Sequence, residues 1–550
     1  MKIIIIGSVA AGTSVAAKAR RNQENVEITI YEKDSDISYS GCGLPYYIGE
    51  DYIKRDNLTP RTPSWFKKRF NIDINTQHEV IDINPSTQTL TIRNLATGDL
   101  FQDKYDKLVL ATGATPFIPP IKNLNQKHVF SLRNVHQADS ILNFISNHAP
   151  KHAAIIGSGY IGLEMAENLQ NRGLKVSIIE MEALPMPALD PDVSVHILKE
   201  LKNKKIEFYG NETADSILHF NENKFVELKS GKQIKADLVI VSTGVKPQTE
   251  LAKNINLQTS VHGAIRVNEH MQTSIDNIYA VGDCAVAYSR IDFEPVWVPL
   301  GSTANKMGRI CGDHITGGSL KFEGILGTGI FKVFDLSVAT TGFTEEEARN
   351  KGYNIAVHHN FKPNQTEYFA SSSEMMIKMI ADKDTGKILG AQIIGKNGVD
   401  KRIDVIATAI TFGATAEQLF HLDLAYAPPF STTKDPVHYS GMVLNNAVKN
   451  SNPIITPYEL LKNRQDYQVV DVRSSKQYND GHIEGAINIP LPELREKYNQ
   501  IEKHAKVVVH CNKGVTGNAA QNLLQNLGFR QVFNLSGGYK NYKLYLMAKS

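Results

Sequence analysis

Ala153-Ala154-Ile155-Ile156-Gly157-Ser158-Gly159-Tyr160-Ile161-Gly162 runs from an apolar strand through the pattern G-x-G-x-x-G into a helix. In that context the glycines let the backbone turn and approach a pyrophosphate, which the N-terminus of the following helix stabilises. The helix extends to about Arg172, and the strand Lys175–Ile179 ends in Glu180. Strand, phosphate loop, helix and strand make a βαβ unit of the doubly wound α/β class, so Gly157, Gly159 and Gly162 are candidate cofactor ligands. A carboxylate at the position of Glu180 accepts hydrogen bonds from an adenine ribose and repels a 2′-phosphate, which favours NADH over NADPH.

The same unit occurs once before. The strand Ile3–Ile6 leads through a loop from Gly7 to Gly12 into a helix through about Asn22, and the strand Glu27–Tyr31 ends in Glu32. Gly7 and Gly12 match the first and third glycines of the pattern, while Val9 takes the middle position. Each copy is later followed by an apolar strand and turn, Leu108-Val109-Leu110-Ala111-Thr112-Gly113-Ala114-Thr115-Pro116 and Leu238-Val239-Ile240-Val241-Ser242-Thr243-Gly244-Val245-Lys246-Pro247. Thr112 and Gly113 therefore join the first cofactor site. Two dinucleotide domains in one chain imply a relay of electrons between two cofactors. Downstream, Thr273-Ser274-Ile275-Asp276-Asn277-Ile278-Tyr279-Ala280-Val281-Gly282-Asp283 is similar to the flavoprotein segment in which an aspartate holds the ribityl chain of FAD. With Glu32 it assigns FAD to the first site, with Asp283 as a ligand. The expected division is a FAD-binding domain at 1–115 and 248–323, with an NAD(P)-binding domain at 116–247 between its parts.

A chain of 550 residues exceeds one hydrophobic core and implies roughly three or four domains. Its hydrophobic share of 42% and charged share of 21% are those of a globular protein. A net charge of +3, with lysines and arginines spread along the chain, argues against nucleic acid as a partner. Four cysteines are too few to staple so long a chain and fit a reducing cytosol. The opening run Met1-Lys2-Ile3-Ile4-Ile5-Ile6-Gly7 has neither a signal-peptide h-region nor transmembrane length, and reads as a buried parallel strand. A cytoplasmic protein with no membrane partner and no metal site is expected.

Cys42 lies in Ser38-Tyr39-Ser40-Gly41-Cys42-Gly43-Leu44-Pro45-Tyr46-Tyr47, far in sequence from Cys284, Cys311 and Cys511. Flavin disulfide reductases that keep a redox disulfide carry two cysteines a few residues apart at this point. A single cysteine must store oxidising equivalents as a sulfenate, a persulfide or a mixed disulfide with a small thiol. A short helix expected from Gly43 to Gly49 would stabilise the Cys42 thiolate at its N-terminus. Gly41 and Gly43 would leave room for a flavin ring and a bulky disulfide.

Taken together, residues 1–445 resemble the single-cysteine branch of the pyridine nucleotide–disulfide oxidoreductases, and Ser38 to Gly49 is most similar to the coenzyme A disulfide reductases among them. The related NADH oxidases and peroxidases carry a histidine in the first glycine loop, where this chain reads Gly7-Ser8-Val9-Ala10-Ala11-Gly12. The resemblance implies a homodimer built through an α+β dimerisation domain at 324–445. It also implies two tyrosines of that domain reaching Cys42 across the interface. Tyr426, in Leu424-Ala425-Tyr426-Ala427-Pro428-Pro429-Phe430-Ser431, fits that motif, and Tyr368 matches it less closely. By the same similarity Ser14, Lys18, Arg21 and Ser38 would contact the substrate, and Lys434 its phosphates.

A polar stretch from Asn445 to Pro457 reads as a linker to a further α/β module at 453–550. That module resembles a rhodanese domain through Asp471-Val472-Arg473, Gly481-His482-Ile483-Glu484-Gly485-Ala486-Ile487-Asn488-Ile489-Pro490 and Asn534-Leu535-Ser536-Gly537-Gly538-Tyr539. Cys511 opens its loop Cys511-Asn512-Lys513-Gly514-Val515-Thr516, where a ring of backbone N–H groups suits a thiolate or persulfide. The family loop usually ends in arginine; here Thr516 stands there and Lys513 is the loop's one charge. Thiosulfate should consequently be a poor donor.

The resemblance implies an NAD(P)H- and FAD-dependent reductase acting at Cys42 on coenzyme A disulfide, coenzyme A persulfide or polysulfide, with Cys511 handling sulfane sulfur. An NADH oxidase working through a Cys42 sulfenate, and a redox-sensing sulfur carrier, are the alternatives.

Overall fold

The structure, a computed structural model, describes residues 1–220 and 223–549. It divides into two compact units, Met1–Met181 with Asn211–Gly327, and Glu182–Gly210 with Thr328–Ser550.

The first unit is built on the duplication read from the sequence. Ile3, Ile4 and Ile5 are wholly buried, as a strand covered on both faces requires. The strand Lys2–Ile6 is flanked by Glu27–Tyr31 and Lys107–Leu110, and Asp73–Asn75 and Ile278–Ala280 extend the sheet on either side, all parallel. In the second copy His152–Ile156 lies between Lys175–Ile179 and Leu238–Val241, and Val129–Ser131 adds beyond the latter. The repeated turns meet one another: Ala114–Pro116 pairs antiparallel with Val245–Pro247 where the chain passes between the two sheets. The helix Ala11–Asn22 packs against Gly301–Ile315 at very close range. A Cβ on Gly308 would stand 2.4 Å from the Ala11 carbonyl oxygen, and one on Gly312 2.5 Å from that of Val15. Among the described residues, no helix is long and apolar enough to cross a membrane.

The second unit holds two sheets. One is antiparallel, in the order Gly329–Val333, Leu336–Gly342, Ile388–Gly395, Glu374–Asp382, Ile355–Pro363, with the fully buried Ile388–Gly395 at its centre. The other is parallel, in the order Ile454–Ile455, Val532–Leu535, Lys506–His510, Tyr467–Asp471, Ile487–Asn488, with apolar residues packed on both faces. The helix Pro191–Asn203, from sequence assigned to the nucleotide domain, groups with this unit. Its Asp192 is bonded to Lys378 and His359. The expected linker from Asn445 to Pro457 is largely ordered. The helix Pro436–Val448 continues through Asn445, because Leu444 and Ala447 are buried, and Ile454–Ile455 pairs with the strand Val532–Leu535.

Candidate active sites

Both glycine loops are set by packing. Gly157 has φ +100°, and a Cβ there would lie 2.6 Å from the Ser242 carbonyl oxygen; one on Gly162 would strike the Gly157 oxygen at 2.1 Å. Gly7 and Gly12 repeat the arrangement, with φ +106° at Gly7 and a Cβ on Gly12 only 1.9 Å from the Gly7 oxygen. Gly159 faces open space. The helices Ala11–Asn22 and Tyr160–Asn171 begin without a side-chain cap, which leaves first-turn N–H groups for a diphosphate. Glu180 accepts from the backbone N–H of Ser158 at 2.8 Å and its hydroxyl at 2.6 Å; Glu32 accepts from the Ser8 N–H at 2.8 Å and hydroxyl at 2.9 Å. Each carboxylate therefore also braces its own loop, a role that sequence reasoning missed.

Around the first site, the Thr112 hydroxyl donates to the Gln248 carbonyl at 2.6 Å, and Gly113, at φ +71°, lies beside the Arg133 guanidinium. Arg133 pairs with Asp283 at 2.9 Å. Open loops, uncapped helices and an aspartate presented on a tight turn fit a flavin dinucleotide in the first copy and a nicotinamide dinucleotide in the second.

Cys42 is exposed, on a short turn that leads into the helix Leu44–Gly49. This helix is fastened to Tyr160–Asn171. A Cβ on Gly49 would stand 1.9 Å from Asn168 Oδ1, the Arg172 guanidinium donates to the Ile48 carbonyl at 2.7 Å, and the Tyr46 hydroxyl donates to Glu164 at 3.0 Å. Cys42 is thus held beside the helix that follows the second glycine loop. Its electrostatics correct the expectation of a helix-stabilised thiolate. Burial of one side pushes the Cys42 thiol up, and the carboxylates of Glu164 and Asp283 add to this, against Arg133 alone. Burial is the largest cause, and Glu164 and then Asp283 add to it, so the start of a six-residue helix does not set the direction here. Glu164 is itself pushed up to about 7, first by burial, with Glu167 adding and the Tyr46 hydrogen bond opposing. At Gly43 a Cβ would lie 2.7 Å from the Leu58 side chain, so this glycine also lets that leucine pack close. Gly41 does face open space, with nothing nearer than 3.9 Å.

Ser14, Lys18, Arg21 and Ser38 line one groove of about 680 Å³, together with Arg61, Trp65, Arg69 and Arg309. Trp65 lies under two guanidinium groups, Arg61 at 5.3 Å and Arg69 at 5.4 Å from its ring centre, and Arg21 lies 5.4 Å from the Phe70 ring. Ser14 donates to Asn305 at 2.6 Å. Lys18 pairs with Asp313 at 2.9 Å, so much of its charge is already committed. The stretch Arg61 to Arg69, with aromatic and basic residues interleaved around Trp65, carried a signal for this groove that was not read.

Tyr368 and Tyr426 belong to the second unit and are 74% and 47% exposed. Their loops are joined, since the Thr366 N–H donates to the Pro428 carbonyl at 3.3 Å. The buried pair Arg402–Asp435, at 2.8 Å, fixes the segment that carries the exposed Lys434.

Cys511 is buried at the end of the strand Lys506–His510, and its Sγ accepts from the Gly514 N–H at 3.1 Å. Gly514 has φ +99° and opens the helix Val515–Asn526. A Cβ on Gly538 would stand 2.5 Å from the Cys511 carbonyl oxygen. The neighbouring His510 is pulled down to about 4 by burial and brings no charge to the sulfur. Asp471 and Arg473 form a buried pair, with the guanidinium 4.1 Å over the Tyr539 ring, so this arginine does not face a donor. Thr516 is exposed. Lys513 is ion-paired with Glu374 of the antiparallel sheet, a partner that sequence reasoning missed.

Comparison with known proteins agrees with this geometry. The pyridine nucleotide-disulphide oxidoreductase family matches residues 1–308, its dimerisation domain residues 329–436, and the rhodanese-like domain residues 456–545. A coenzyme A disulfide reductase of Staphylococcus haemolyticus is 35% identical over 441 residues, 80% of this chain and 98% of that protein. An NADH oxidase of Methanocaldococcus jannaschii is 37% identical over 438 residues, 80% of this chain and 97% of its own. The crystal structure of reduced CoADR-RHD from Bacillus anthracis superposes with a TM-score of 0.96 at 38% identity, covering 99% of this chain and 98% of that one. The NAD-dependent persulfide reductase of A. fulgidus does so with a TM-score of 0.90 at 35% identity, covering 98% and 100%. With two dinucleotide folds, a dimerisation domain and a rhodanese module matched in order along its length, the chain belongs to the pyridine nucleotide–disulphide oxidoreductase family, in an architecture that ends in a rhodanese-like domain.

Proposed function

We propose that the chain is an NAD(P)H- and FAD-dependent reductase of coenzyme A disulfide, coenzyme A persulfide or polysulfide. The observation that carries this reading is a single exposed cysteine, fastened to a dinucleotide helix, in the same unit as a cationic groove able to hold a phosphorylated thiol carrier. Ser14, Arg21, Ser38 and the arginines of the groove bind the nucleotide end of coenzyme A, with Trp65 offering a face for its base. Lys18 contributes less because Asp313 holds it, and by the family resemblance Lys434 is a further candidate for the phosphates.

Gly7, Gly12, Glu32, Thr112, Gly113 and Asp283 would hold FAD, which when bound would supply two-electron chemistry between a nicotinamide and a disulfide at Cys42. Gly157, Gly159, Gly162 and Glu180 would hold the nicotinamide dinucleotide, with NADH preferred over NADPH. The Cys42 thiolate attacks a sulfur of the substrate disulfide or persulfide, and coenzyme A thiolate or hydrosulfide leaves with the electron pair of the broken bond. Glu164 and Tyr46 hold a proton on the side of Cys42 that faces the dinucleotide helix. In a homodimer Tyr426 and Tyr368 reach the partner's copy of this site, and their hydroxyls supply the proton for the leaving thiolate. A cytoplasmic setting keeps Cys42 in its reduced working form.

Steady-state consumption of NADH with each of the three substrates tests the reading, together with the mass of Cys42. A Cys42 adduct equal in mass to coenzyme A is the expected result, and no NADH consumption with any substrate defeats it. The similarity to an NADH oxidase makes oxygen reduction through a Cys42 sulfenate the second reading. It gains if oxygen uptake outpaces disulfide turnover, although the first loop carries no histidine.

A further inference from the structure

The helix Gly538–Lys549 closes over the Cys511 loop, with the N–H groups of Tyr539 and Lys540 donating to the carbonyls of Cys511 and Asn512 at 2.9 and 3.0 Å. Two ammonium groups, those of Lys513 and Lys540, converge beside this loop, and both are paired with the half-buried carboxylate of Glu374, one to each oxygen. Burial works against the charge of Glu374, yet the two lysines outweigh it and hold the carboxyl below its ordinary range. Lys362, over the Tyr439 ring at 3.9 Å, is pushed down by burial and then by Lys513, so cations crowd this point. Two cations grasping two oxygens of one anion is how a protein holds a small oxyanion. Here the anion is part of the chain.

We propose that Glu374 occupies, from within the protein, the position an inorganic oxyanion donor would take, and so restricts Cys511 to sulfur from organic persulfides. This deepens the reading of Cys511 as a sulfur carrier and rests on it. A dianion such as thiosulfate must displace a carboxylate already bonded to both lysines, and it meets like charge if it does not. The exposed Thr516 supplies no replacement cation. An organic persulfide carries its charged groups away from the sulfur and needs no such displacement. A cavity of about 470 Å³ is bounded by Asn512, the residue after Cys511, with Glu374, Lys540, Phe361 and Leu544, and its apolar wall suits the carbon chain of such a donor.

The test is thiosulfate-to-cyanide sulfur transfer by the full-length holoenzyme. The Cys511 thiolate attacks the outer sulfur of thiosulfate, the S–S bond breaks, and sulfite leaves with the electron pair. Cyanide then removes the outer sulfur as thiocyanate and returns the thiolate. Glu374→Gln should raise kcat/KM for thiosulfate about tenfold or more, and adding Lys513→Met to it should cancel the gain. Glu374→Asp, which keeps the charge but draws it back by one methylene, should give an intermediate gain and guards against a misfolded first variant. Unchanged thiosulfate kinetics in both Glu374 variants, or a gain that survives Lys513→Met, overturns the assignment and leaves the carrier reading intact if glutathione persulfide still loads Cys511 of the unaltered chain. Failure of glutathione persulfide to load Cys511 in every form overturns both.

Discussion

At the residue scale, the reactivity of Cys42 turns on how many charges of each sign face a thiol that works as a thiolate. Arg133 is on the helpful side, but Asp283 pairs with it at 2.9 Å and divides its influence, while Glu164 opposes it. Ionised Glu164 raises the Cys42 thiol, so removing its charge must lower it. Glu164→Gln should therefore move the pH profile of Cys42 alkylation in the holoenzyme to lower pH, measured in a Cys511→Ala background. The difference from the unaltered protein should shrink below about pH 7, where Glu164 is itself protonated. An unshifted profile would remove Glu164 from the site.

At the element scale, two close packings carry the argument. The first is the helix pair Ala11–Asn22 and Gly301–Ile315, where Gly308 and Gly312 let one backbone lie against the other. Gly308→Val would force the start of the first helix away from its partner, since a Cβ already meets the Ala11 oxygen at 2.4 Å. That helix start presents the uncapped N–H groups, so the variant should purify with little flavin absorbance; full flavin content would refute the expected role. The second is the buried charge cluster that joins the helix Pro191–Asn203 to the antiparallel sheet. Lys378 pairs with Asp190 at 3.1 Å, Asp192 at 2.9 Å and Glu345 at 2.8 Å, while Asp192 also holds His359. Burial works against the Lys378 charge, but the three carboxylates outweigh it and hold its pKa above the ordinary value. Removing the cation leaves uncompensated buried carboxylates, so Lys378→Met should cost about 3–5 kcal/mol, read as a lower urea midpoint for the second unit.

At the scale of the whole molecule, the question is how sulfur at Cys511 relates to reduction at Cys42. A polar linker before the last module would allow it some reach. The rhodanese-like domain is instead fixed to the antiparallel sheet within the second unit, with Ser536 accepting from the His359 backbone at 2.8 Å and Lys513 and Lys540 holding Glu374. With the module docked on its own sheet, sulfur transfer at Cys511 and disulfide reduction at Cys42 are expected to be separable by mutation. Cys511→Ala should abolish sulfur transfer and spare NADH-dependent reduction of coenzyme A disulfide. Cys42→Ser should abolish that reduction and leave Cys511 able to take up a persulfide, seen as one added sulfur by mass. Loss of disulfide reduction in Cys511→Ala would make the two cysteines one catalytic unit.

What the sequence determined by itself was what depends on local order: two glycine loops each between a strand and a helix, a carboxylate ending each following strand, one cysteine where a pair would make a disulfide, and the landmarks of the last module. Backbone geometry and hydrophobic period act over a few residues, so the duplicated folds were legible there, whereas Ser14, Lys18, Arg21 and Ser38 were expected together only through the family resemblance. Only the tertiary structure decided which charges meet. Glu164 beside Cys42, Arg133 against Asp283, Lys378 among three carboxylates and Glu374 between two lysines all join residues distant along the chain. Coulomb interactions depend on distance and burial, not on sequence order. For the same reason the Cys42 helix, legible as an element, gave the wrong sign for its thiol until its burial and the carboxylates facing it were in place.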